Sequence, residues 1–68
     1  MDEEVFNMQL RRFLKKVGIQ SQQEIEQAVR KSIETGLLSG KEKLKVQMLL
    51  RIPAADVEVT IEDEIGLT

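Results

Sequence analysis

The sequence predicts an α+β fold in the order α-α-β-β, two antiparallel-type helices followed by a β-hairpin packed on the helix pair. Three observations predict it. Apolar residues recur at helical spacing through the first half of the chain. A stop and restart signal, "GIQSQQE" from Gly18 to Glu24, interrupts that half. Beyond residue 42 the apolar period drops from about 3.6 to 2, the period of a half-buried strand.

The first helix is expected over about residues 2–17. Asp2 serves as its N-cap, and Glu3 and Glu4 fill the first turn, where the positive end of the helix dipole favours acids. Phe6, Leu10, Phe13, Leu14 and Val17 share one face, with Arg11, Arg12 and Lys15 on the other side. Gly18 is expected to end the helix as a left-handed C′ residue, with Ile19 folding back on Leu14.

The second helix is expected over about residues 21–35. Ser21 and Glu24 stand in the S-x-x-E spacing of a capping box. Ile25, Ala28, Val29, Ser32 and Ile33 make its stripe, Glu26 and Arg30 form an outward pair four apart, and Gly36 closes it. The two stripes are expected to face each other.

Strands are expected over about residues 43–52 and 57–65, joined by "PAAD" from Pro53 to Asp56. With that loop, Ile52 faces Val57, Leu50 faces Val59 and Met48 faces Ile61. On the other side Arg51 faces Glu58 and Lys45 faces Glu64. The same register sets Asp63 against Val46 on the apolar face, where a bulge or the end of pairing is expected. A two-stranded sheet leaves both edges open, so a homodimer joining edges or apolar faces is expected.

Composition narrows the chemistry. The 68 residues suit one small domain, spanning residues 1–68, near the lower limit for a core without staples. With no cysteine and no histidine, there is no disulfide framework, no thiolate zinc site and no imidazole acid–base chemistry. An enzyme is not expected, and no cofactor or small-molecule substrate is implied. The net charge of −2 offers no overall attraction to nucleic acid or anionic lipid. The N-terminus "MDEEVF" is acidic where a targeting peptide would be basic, and no apolar run approaches a membrane span, so a cytoplasmic protein is expected.

Two motifs resolve into structure. "TGLLSGKE" has Gly36, Gly40 and Lys41 close together, but a P-loop needs four residues between its glycines and a Ser or Thr after the lysine; three and Glu42 stand here. Glu62, Asp63 and Glu64 are neighbours on a strand, so their carboxylates point to alternate faces and do not converge on a cation.

The candidate site is the basic face of helix 1. Arg11, Arg12, Lys15 and Lys16 place four positive charges within six residues, and Met8 lies one turn earlier on the same side. Met8, Arg11, Arg12 and Lys15 are expected to face a protein partner. The alternative is a nucleic-acid-binding module using the same face. As a helix-turn-helix it would lead its second helix into the groove with Gln22, Gln23, Glu24, Glu26 and Gln27, whose acids oppose phosphate, and Leu14 stands where that motif wants a small residue.

The stretch "EEVFNMQLRRFLKKVGIQSQQEIEQAV", Glu3 to Val29, resembles a family of short bacterial proteins, about this length, catalogued as a domain of unknown function. "FNM" at Phe6 to Met8, "FLKKVGI" at Phe13 to Ile19 and "SQ.EIE.AV" from Ser21 to Val29 carry the likeness. The resemblance implies a free-standing bacterial protein and transfers no activity, cofactor or site residue.

Overall fold

The computed structural model describes residues 1–68, and the chain divides into two compact units, Met1–Leu37 and Leu38–Thr68. The first unit is one α-helix, α1, Glu3–Glu34. At 1.5 Å per residue it is about 48 Å long. Its start follows the sequence: Asp2 is extended, its Oδ1 accepts the Val5 N–H at 3.1 Å, and Glu3 and Glu4 occupy the first turn. Its end does too. Thr35 caps α1 by donating its N–H to the Lys31 carbonyl at 2.9 Å, and Gly36 then takes a left-handed φ of 84°.

The expected break at Gly18 does not occur, so the two helices of residues 2–17 and 21–35 are one. Gly18 has no positive φ and lies inside α1. Helical glycine costs about 1 kcal/mol against alanine, whereas stopping there would leave four carbonyls and, at the restart, four N–H groups for caps to satisfy. One capping box satisfies only two of them. The apolar pattern also runs through the supposed turn, because Val17, Ser21, Ile25 and Val29 follow each other at four-residue steps and are all half-buried along the helix. Ser21 and Glu24 accordingly cap nothing. Ile19 points away from Leu14's side and is 51% exposed. The pair Glu26–Arg30 forms as expected, at 3.8 Å.

The second unit is a hairpin of β1, Lys43–Ile52, and β2, Val57–Gly66, in a two-stranded antiparallel sheet. The register is the one alternation predicts: Ile52 opposite Val57, Leu50 opposite Val59, Met48 opposite Ile61, Arg51 opposite Glu58 and Lys45 opposite Glu64. Pro53–Ala55 form a 3-10 turn, and Asp56 closes it at a φ of 55°, a left-handed position that aspartate tolerates. The Leu67 N–H donates to the Glu42 carbonyl at 3.0 Å and ties the open end.

No bulge forms at Asp63. It pairs with Val46 inside an unbroken ladder that runs to Lys43 and Gly66. The expectation assumed a dry face, but Asp63 is exposed, so its carboxylate carries little desolvation cost and accepts the Glu64 N–H at 2.8 Å. On the outer face the ion pair that forms is diagonal, and the directly opposed Lys45–Glu64 and Arg51–Glu58 make none. Glu62 takes Lys45 at 3.6 Å and the Gln47 amide at 2.7 Å.

The expected core is absent. No side chain of the chain is buried. A helix pair under the hairpin cannot supply one, since there is no pair, and Phe13, Leu14, Ile33, Val59 and Ile61 all stand exposed.

Candidate functional site

Continuity of α1 defines the surface around the basic cluster. Met8, Arg12, Lys15 and Ile19 follow one another at steps of four, three and four residues, so they form a single row along the helix. Arg11 lies at the edge of this row, towards the apolar stripe, and Lys16 at its other edge. All of these residues are exposed, Met8 at 54%. The structure therefore brings Met8, Arg11, Arg12 and Lys15 onto one side of α1, as their spacing implies.

Their charge is not neutralised within the chain. The two ion pairs are Glu26–Arg30 and Lys45–Glu62, and neither uses a cation of the cluster. Beside it, Arg12, Lys15, Lys16, Ile19, Gln20, Gln23 and Glu24 line an open, shallow surface of the helix. Ile19 is the residue that the sequence reading misplaced. Assigned to a core by the presumed turn, it sits four residues from Lys15 and adds an apolar contact to the basic row. Reading the 3.6-residue period through Gly18 would have found it.

The same continuity changes the helix-turn-helix alternative. Gln22, Gln23, Glu24, Glu26 and Gln27 do not lead a recognition helix, because they lie mid-helix. Gln22 instead donates to Glu26 at 3.0 Å.

The glycine loop holds an anion, and that anion is its own. The N–H groups of Ser39, Gly40 and Lys41 converge on the Glu42 carboxylate at 2.7, 2.9 and 3.1 Å. These donors, the Ser39 N–H foremost, stabilise the charged form and lower the Glu42 pKa from 4.5 to about 2. The donors a phosphate would need are thus already engaged. No three acidic side chains converge on a common point, the Glu62–Glu64 run included. No helix is long and apolar enough to cross a membrane.

Set beside known families, residues 1–68 match DUF6494, a family of unknown function, over the whole chain. The chain belongs to DUF6494. The resemblance carried by "FNM", "FLKKVGI" and "SQ.EIE.AV" is thereby borne out, for a protein of 68 residues. Neither a curated protein nor a solved structure matches the chain. For this DUF6494 member the functional reading rests on its two helix faces, one apolar and one basic.

Proposed function

We propose that this DUF6494 protein is a small, non-enzymatic interaction module that associates with itself and presents Met8, Arg11, Arg12 and Lys15 to an acidic protein partner. One observation carries the reading. In a chain that is 41% hydrophobic, no side chain is buried, and the large apolar residues lie exposed in ordered stripes. Exposed apolar surface on this scale is the mark of an interface. A single helix and a two-stranded hairpin are also each short of a second layer to pack on.

Sedimentation equilibrium tests the self-association, with a dimer expected in the micromolar range. A monomer at high micromolar concentration overturns it. The basic face is tested by Arg12→Glu with Lys15→Glu, in a variant whose helix content by circular dichroism is unchanged. Loss of partners recovered by the wild-type protein is expected, and retention of every partner removes that part of the proposal. The expectation of a bacterial, cytoplasmic protein stays with this reading, and the family resemblance supports its bacterial part.

A second reading has an observation of its own, the four cations at Arg11 to Lys16 that form no ion pair. On that reading the row binds nucleic acid through phosphate contacts alone, with affinity falling steeply as salt rises because each contact releases a counterion. The absence of a gel shift at low salt removes it.

A further inference from the structure

The apolar stripe of α1 has a symmetry that a single helix cannot use. Phe6, Leu10, Phe13 and Val17 step by four, three and four residues; Ser21, Ile25, Ala28 and Ser32 repeat four, three and four; and a step of four joins the two sets. The spacing of these eight positions therefore reads the same from either end, with Leu14, Val29 and Ile33 flanking them. A palindromic spacing is the condition for two copies of a helix to meet face to face in opposite directions, since a two-fold interface must be complementary to itself.

Resting on the self-association proposed above, we infer that two copies of this chain pair through α1 as antiparallel helices, in a register centred on residue 19. In that register Phe6 lies over Ser32 of the second copy, Leu10 over Ala28, Phe13 over Ile25 and Val17 over Ser21. The Phe6–Ser32 and Leu10–Ala28 layers, each present twice by symmetry, set a large side chain against a small one, which lets the helices approach and interdigitate there. Both phenylalanines and Leu10 are in the first half and both serines and Ala28 in the second, so a parallel pair would stack phenylalanine on phenylalanine at one end and serine on serine at the other.

Charge gives an independent argument for the same arrangement. About an antiparallel two-fold axis, the same edge of each stripe faces its equivalent. On one edge Arg11 lies within one residue of the level of Glu26 of the second copy, and on the other Lys16 within two residues of the level of Glu24, both in reach of such long side chains. Glu26 already holds Arg30 at 3.8 Å within its own chain, while Lys16 and Glu24 form no ion pair within theirs. In a parallel pair opposite edges meet instead, which sets the Arg11 edge against the Lys16 edge of the second copy, cation against cation. The pairing leaves Met8, Arg12, Lys15 and Ile19 on the far side of each helix, open to another partner.

The chain has no cysteine, so Glu34→Cys, on the outward side at the end of α1, provides a single site for a spin label. Fifteen residues from the centre in each helix, the two labels would stand about 45 Å apart along the axis of an antiparallel pair. In a parallel pair they would be level, separated only by an interaxial distance of about 10 Å and the label arms. A dipolar distance of 45 Å or slightly more is expected; a distance below about 30 Å in a confirmed dimer overturns the antiparallel arrangement and leaves self-association standing. A monomer by sedimentation overturns both. In the second arm, Lys16→Glu and Glu24→Lys are each expected to weaken the dimer about tenfold, since two symmetric pairs turn repulsive, and the double variant to recover within about threefold. Failure of the double variant to recover, with helix content intact, overturns the register.

Discussion

The replacement Gly18→Ala separates a continuous helix from a helical hairpin by the sign of its effect. Gly18 lies in the interior of α1, and a Cβ built on it meets nothing within 4 Å. Alanine there removes the backbone entropy cost of glycine and adds no steric one, so the gain is about 0.8–1.0 kcal/mol per chain. If residue 18 instead ended a helix in the left-handed conformation, the same Cβ would cost about 1–2 kcal/mol. The two geometries thus differ by about 2–3 kcal/mol, well outside the error of either estimate. Hydrogen exchange of the amides of residues 18–22, which open when the helix opens locally, reads this directly. One kilocalorie is about a fivefold change in the opening equilibrium, so Gly18→Ala should slow exchange there about fivefold, with a small rise in helical circular dichroism. Faster exchange at residues 18–22, or a loss of helix signal, would refute the reasoning.

Other expectations follow from the same geometry. Phe13 is 53% exposed, and covering that half of a side chain of about 200 Å² should contribute about 2.5 kcal/mol per copy; with even half of that realised in both copies, Phe13→Ala raises the dimer Kd by roughly 100-fold in sedimentation while keeping the helix, and a change under threefold counts against the apolar face as the interface. Asp2→Ala removes the acceptor for the Val5 N–H and should cost the helix about 1 kcal/mol, seen as faster exchange at Val5. Because the Glu42 pKa falls from 4.5 to about 2 in the folded loop, its contribution to stability is present above pH 4.5 and disappears as pH falls through 2. The amide proton chemical shifts of Ser39, Gly40 and Lys41 should titrate through that window by NMR, and Glu42→Gln should remove that titration.

Much of the chain was legible before any coordinates because it is governed by neighbours in sequence. Asp2 caps α1 because an aspartate followed by Glu3 and Glu4 satisfies the first N–H groups whatever the rest of the molecule does. Pro53 fixes φ at the turn, the alternation of Leu44 to Ile52 fixes which side chains share a face, and four residues then leave one register. The candidate site was legible in part. Spacing alone put Met8, Arg11, Arg12 and Lys15 on one side, but Ile19 was lost to an assumed core, because a turn at Gly18 would have changed its direction.

The sequence by itself determined the ends of the helix, the strand limits and their register, all of which follow from local propensities and from a loop too short to allow alternatives. Only the tertiary structure decided whether the chain folds back at Gly18. The stop signal and the capping box are each worth about 1 kcal/mol, less than the backbone hydrogen bonds a continued helix keeps, so folding back would need a further gain. The outcome depends on whether the halves of the stripe gain burial against each other within one chain. In α1 they do not, and the palindromic stripe remains available to a second copy.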